Sequence, residues 1–227
     1  MATTWYYRNT NWGATGPGET YYTSDVIVAY STSYSVNFKL DSTPGSAQSS
    51  IARTRIQVAN EIWGMGHWIS PPLAAQTLTG SGAGYKVAVA IKESSAAMNL
   101  YHRIFVYIWR SGSGNVKTIY GPASCTTEHG TSETECVITF NGTAGDFSIL
   151  DNDRIVIEEL FDVRNSKTTS YTATLYYDGT DTTMVDDEAT SDAGSYFYCP
   201  QTLNLYTGGE TLSINVADKL AGSEALD

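Results

Sequence analysis

Cys125, His129 and Cys136 form the only cluster of cysteine and histidine in this chain, and thiolate and imidazole are the ligands zinc prefers. A firm zinc signature has paired C-x-x-C spacing, which is missing here. The two cysteines flank a polar loop, TTEHGTSETE. That pattern fits a hairpin tip, with Cys125 and Cys136 either bonded across it or left as two thiols. A bond would need an oxidising environment. We read the segment as a hairpin tip, with no metal and no cofactor.

Hydrolytic chemistry needs a nucleophile, a base and an orienting carboxylate within reach of one another. His67, His102 and His129 stand in unrelated local contexts, and no serine occupies a G-x-S-x-G elbow. Hard oxygen ligands for calcium occur at Asp151-Asn152-Asp153 and Asp186-Asp187-Glu188, without EF-hand or nonapeptide spacing. The first group is better read as a turn whose side chains cap their own backbone. A glycosidase needs two carboxylates facing across a cleft. Glu158 and Glu159 are neighbours on an expected strand, so they point to opposite faces. Asn141-Gly142-Thr143 matches a glycosylation sequon, which we discount without a leader. None of these patterns supports catalysis, and the expectation is that the chain is not an enzyme.

The elements that would position these residues are strands. The central pair runs from Tyr85 to Arg110: YKVAVAIKES, a short polar turn, then LYHRIFVYIWR. Alternation puts Ile104, Val106 and Ile108 on one face with His102 at the end. Tyr101, Phe105, Tyr107 and Trp109 share the other with Arg103. A strand this apolar on both sides must be covered on both, by the domain core and by a second layer, a loop or another subunit.

Around that pair, VIVAY, YSVNFKL, VKTIY, ECVITFNG, RIVIEELFDV, SYTATLYYDGT, SYFYC and TLNLY also read as strands. IARTRIQVANEIW is compatible with a helix of about three turns, but a strand pair fits its neighbours better. Pro71 and Pro72 cannot donate to a ladder and belong at an edge or a crossing point. Short strands with regular turn signals predict an all-β fold, an antiparallel two-sheet β-sandwich.

The domain plan is an N-terminal arm over 1–24, a sandwich over 25–215 and an acidic C-terminal tail over 216–227. The arm carries Trp5, Tyr6, Tyr7 and Trp12, too apolar to be left in water. They pack back on the domain or dock on a neighbouring subunit.

Composition narrows the partners. The 24 acidic and 13 basic residues give a net charge of −11, which repels nucleic acid. Charged residues are only 16% against 41% hydrophobic, a profile that suits a β-protein with a substantial core. No apolar run approaches the roughly 20 residues of a membrane helix. MATTWYYRNTNW lacks the basic start and apolar core of a secretory signal. Cytoplasmic synthesis and no membrane partner are therefore expected. The 16 Tyr and 5 Trp could stack on sugars, although Tyr is also favoured in strands and at protein interfaces.

Taken in order, TWYYRNT, HWISPPLAAQTLTG, AIKESSAAMNLYHRIFVYIWR, LDNDRIVIEEL and SYTATLYYDG resemble a group of virion-associated proteins of tailed phages, over roughly residues 3 to 180. The resemblance implies a jelly-roll-like sandwich acting as a capsid decoration, minor capsid or tail component, without catalytic residues. It also implies a homo-oligomer in contact with other virion proteins. The expected subunit contacts are Trp5, Tyr6, Tyr7, Trp12, Tyr101, Phe105, Tyr107 and Trp109. The alternative is a carbohydrate-binding or receptor-binding module using the same aromatics on a glycan.

Overall fold

β-branched and aromatic residues in alternation form strands here because their side chains pack well on a pleated surface. The computed structural model describes residues 2–11, 26–28, 37–57, 59, 61–80, 82, 84–142, 145–186 and 188–208. Among them are fourteen strands and no helix. In chain order these are β1 (Thr3–Asn11), β2 (Val26–Val28), β3 (Asn37–Asp41), β4 (Ser49–Ile56), β5 (Glu61–Ile69), β6 (Gln76–Leu78) and β7 (Tyr85–Glu93). They continue as β8 (Leu100–Arg110), β9 (Gly114–Ser124), β10 (Thr134–Phe140), β11 (Phe147–Ile149), β12 (Arg154–Val163), β13 (Ser170–Tyr177) and β14 (Tyr196–Cys199). The fold is all-β. The ambiguous stretch 51–63 is a strand pair, β4 and the start of β5.

Twelve strands share one hydrogen-bonded sheet in the order β4-β13-β7-β14-β1-β3-β5-β12-β8-β9, with β10 on β7 and β2 on β5. One edge of β7 is shared end to end, by β14 over Lys86–Ala88 and by β13 over Ala90–Glu93, while β10 fills the other edge. β6 and β11 form a separate two-stranded sheet. One face of the long sheet converges on a single buried cluster. It takes in Val89 from β7, Leu175 from β13, Tyr7 from β1, Trp68 from β5, Val106 from β8 and Ile138 from β10. The sheet therefore folds over on itself, and its two halves face each other across a common core.

This differs from the expectation in two respects. The halves are joined through β14, β1 and β3 rather than being separate sheets, and β2 and β3 run parallel to β5. The joining of the halves depends on β1. The N-terminal segment expected as an arm is, through Asn11, a sheet strand between β14 and β3. Its alternation sends Trp5 and Tyr7 into the core. Residues 12–24 and the tail 216–227 lie outside the described residues.

Rings hold the join together. Trp68 lies between Tyr7 and Phe38, stacked on both at centroid distances of 4.8 and 4.9 Å, with Tyr177 edge-on at 5.3 Å. Gly66 makes room for this stack, since a Cβ there would lie 3.2 Å from the Trp68 ring and 3.4 Å from Phe38. Trp68→Ala should cost about 3–5 kcal/mol through the cavity it leaves, read as a lowered denaturant midpoint with unchanged slope.

Candidate functional site

One cluster of buried polar groups lies between the two halves of the sheet. On β12 the period of two sends Ile155, Ile157, Glu159 and Phe161 toward the core, and Val156, Glu158 and Leu160 to the opposite face. The two glutamates thus face away from each other, as their adjacency requires. Glu159 sits opposite Gly66 on β5 and Ile104 on β8, beside a register shift in the β5 pairing. The Tyr7 hydroxyl donates to Glu159 Oε1 at 2.5 Å, and His102 Nε2 contacts Glu159 Oε2. His102 Nδ1 lies 3.4 Å from Cys136 Sγ. Every member of this chain of contacts is sealed from solvent. Burial, and then the Glu159 charge and hydrogen bond, raise the Tyr7 pKa well above its ordinary value, so the phenol remains a donor.

Cys125 and Cys136 are joined as a disulfide. They do not close a hairpin: β9 pairs with β8 and β10 pairs with β7. The bond crosses the seam where the β8–β9 end of the folded sheet meets β10. The seam is also closed by the stacked rings of Tyr120 and Phe140, 4.1 Å apart, while the Cys125 amide, donating to the His102 carbonyl at 2.7 Å, extends the β8–β9 ladder up to it. His102, which the sequence did not connect with the cysteines, offers a ligand atom within 4.8 Å of both sulfurs. His129 is 4% exposed, and its Nε2 is buried without a hydrogen-bond partner. Burial, and then the proximity of His102, lower its pKa from 6.5 to about 3, so it is a neutral imidazole.

The other candidate residues are dispersed. His67 and Glu158 are 3.8 Å apart on the opposite face, both buried. Asp153 accepts two hydrogen bonds from Arg110 at 2.7 Å and one from the Leu150 amide at 2.8 Å, while Asp151 accepts from the Ala75 amide. The Asp151–Asp153 group is thus a turn, as its spacing suggested. In the acidic loop, Asp178 pairs with Arg8, Asp181 caps Thr183 and Asp186 accepts from the Val137 amide. A groove of about 370 Å³ is lined by Arg110, Val116, Lys117, Asp146, Phe147, Ser148 and Leu150.

Of the expected subunit contacts, Trp5, Tyr7, Phe105 and Tyr107 are buried within the single chain. Phe105 and Tyr107 belong to a second apolar cluster with Ile62, Ile69, Val156 and Leu160, on the outer face of β5, β12 and β8. Tyr6, Tyr101 and Trp109 are half-buried, and Trp12 lies outside the described residues. The Arg164 guanidinium covers the Tyr101 ring at 3.5 Å.

No protein-family model matches this chain, and no curated protein does. Several solved structures are similar at low identity. An aminopeptidase from a marine sediment archaeon, Thaumarchaeota archaeon, has a TM-score of 0.41 and 10% identity, over 72% of this chain and 35% of that one. A structure of infectious bursal disease virus, Gt strain, has a TM-score of 0.27 and 10% identity over 81% and 51%. A CocE/NonD family hydrolase from Staphylococcus aureus has 0.28 and 8% over 88% and 34%. The chain spans about a third to a half of these structures. Likenesses this loose carry no argument about what the chain does.

Two expectations follow from the buried acids. Tyr7→Phe removes a donor from a sealed carboxylate and should cost about 1.5–3 kcal/mol by urea unfolding. Glu93 is fully buried, accepts one hydrogen bond from the Leu100 amide, and has an Oε2 without a partner. Burial raises its pKa from 4.5 to about 8. Between those values the folded state holds a proton that the unfolded chain releases, so stability is full below pH 4.5 and falls as pH rises through 8. Glu93→Gln should flatten that decline, and an unchanged slope of unfolding free energy against pH would refute the assignment.

Proposed function

We propose that this chain is a non-enzymatic structural protein of a virion. It is made in the host cytoplasm, self-associates, and docks on a tailed-phage particle as a decoration, minor capsid or tail component. The observation that carries this reading is the position of the reactive groups. A hydrolase would present a histidine–carboxylate pair to substrate, whereas His102–Glu159 and His67–Glu158 are both sealed inside, on opposite faces of the sheet.

The surface offers contact features instead. β4 pairs with β13 over eight residues without a register shift, and among the described residues it has no strand on its other side. Such an edge is a ready template for another chain. At the other end of the sheet β9 shifts register three times against β8, which blunts that edge. Half-buried Tyr6, Tyr101 and Trp109 supply aromatic area suited to protein contact. Net charge −11 disfavours a direct role on nucleic acid.

The carbohydrate-binding alternative would use two or three exposed rings in line. Every described aromatic side chain is buried or half-buried, and the exposed large apolar residues are Ile56, Leu150, Val185 and Leu205. This favours assembly over sugar stacking.

Light scattering on the full chain across a concentration series tests the reading. We expect a defined oligomer, shifted toward the protomer by Ile56→Lys at the end of β4 with no change in thermal unfolding. A protomer mass throughout the series would overturn self-association. Deleting residues 1–24 does not serve as a test, because it removes β1 from the middle of the sheet.

A further inference from the structure

We propose that, when its thiols are reduced, the seam between β8 and β10 holds one tetrahedral zinc ion. The ligands already in place are Cys125 Sγ, Cys136 Sγ and His102 Nδ1, and His129, which stands outside that 4.8 Å group, would close the fourth position by moving inward. The site is independent of any role on a particle, and it differs from the set suggested by sequence spacing because His102 joins from another strand.

The distances fit an ion. Ligand atoms of His102, Cys125 and Cys136 all lie within 4.8 Å of one another. Tetrahedral zinc, with bonds of about 2.3 Å to sulfur and about 2.0 Å to nitrogen, holds its ligands roughly 3.3–3.8 Å apart. Small side-chain movements around a central ion reach that spacing. The Cα atoms of Cys125 and Cys136 are 7.1 Å apart. Bonded cysteines usually span about 4.4–6.8 Å, and two thiolates sharing an ion stand farther apart than two bonded sulfurs.

The surroundings of His102 are those of a metal ligand. A ligating imidazole commonly gives its other N–H to a carboxylate, which fixes the tautomer and aims the free lone pair at the metal. His102 places Nε2 on Glu159 and Nδ1 toward Cys136 Sγ, and Tyr7 holds the other oxygen of Glu159. A disulfide needs no imidazole nitrogen pointed at its sulfur and no carboxylate–phenol pair behind that ring. A cation between Nδ1 and the sulfurs accounts for both.

His129 supplies the second, independent indication. A buried imidazole nitrogen without a partner is costly, and His129 Nε2 is such an atom. It lies on the short loop between the two cysteines, with its amide donating to the Leu100 carbonyl two residues from His102. Four protein ligands in a water-excluded site are the mark of a structural zinc. The ion would tie β8, the β9–β10 loop and β10 together, as the disulfide does in the oxidised chain.

The two forms interconvert with balanced chemistry. A dithiol reductant gives two electrons and two protons to the Cys125–Cys136 bond, yielding two thiols and the oxidised reductant. Zinc then displaces both thiol protons to solvent.

The test uses the untagged full chain, expressed with zinc and purified without oxygen in a phosphine reductant. Plasma mass spectrometry should find about one zinc per chain. Cys125 and Cys136 should resist iodoacetamide until a chelator is added. Cobalt substitution should give intense tetrahedral d–d bands with a thiolate charge-transfer band. His129→Ala should weaken cobalt binding by about ten-fold or more and change those bands. A folded, reduced chain that holds no metal and alkylates at both cysteines would overturn the proposal. So would a Cys136→Ser chain that retains full zinc content. A His129→Ala chain with unchanged affinity and spectrum would overturn the ligand set. The alkylation and cobalt measurements on the unsubstituted chain decide the matter even if a variant fails to fold.

Discussion

A carboxylate that water cannot reach must be surrounded by donors, and Glu159 imposes that condition on the whole fold. Its partners come from β1 and β8, so the network forms only when the N-terminal strand has reached the middle of the sheet. It also fixes register. A one-residue slip of β12 would put Glu158 or Leu160 in the place of Glu159 and turn the inward face of the strand outward. Leaving such a charge with one partner removed is far more costly than never burying it. The network thus selects one arrangement of strands more than it adds net stability.

The faces of individual strands were legible because they depend only on alternation. Ile104, Val106, Ile108 and His102 share the core face of β8, and Phe105, Tyr107 and Trp109 share the other, as their spacing indicates. Glu158 and Glu159 diverge for the same reason. What covers each face was not legible, because cover depends on how distant strands meet. Phe105 and Tyr107 are apolar enough to suggest a neighbouring subunit, yet they are buried within the chain. The N-terminal aromatics were left between packing back on the domain and docking on a subunit, because GATGPGE after them reads as a break. The period-two pattern of Trp5 and Tyr7 around Tyr6 was the signal of a core strand. The meeting of His102 with Cys125 and Cys136 could not be read from spacing, since it arises only when the sheet closes on itself.

That closure explains why one sheet behaves as two layers. A long twisted sheet with an apolar face has to cover it. Here the sheet bends through β14, β1 and β3 until its ends approach, leaving β10 and β9 to face each other across a seam. Side chains take over where ladder hydrogen bonds stop: the Cys125–Cys136 link and the Tyr120–Phe140 stack. The seam therefore gathers the residues with coordination and redox chemistry, while the regular edge lies at β4, away from it.

The position of β1 has a consequence for biosynthesis. Thr3 to Tyr6 pair with Tyr196 to Cys199, so one edge of β1 waits for the last strand described. Until then Trp5 lacks the Phe197 ring beside it, and pairing over so long a stretch of chain is slow. The nascent protein thus carries one edge of its linking strand uncovered until β14 has been made, although β3 can cover the other edge early. The interval in which it is open to self-association or to chaperone capture is set by translation speed rather than by local strand formation.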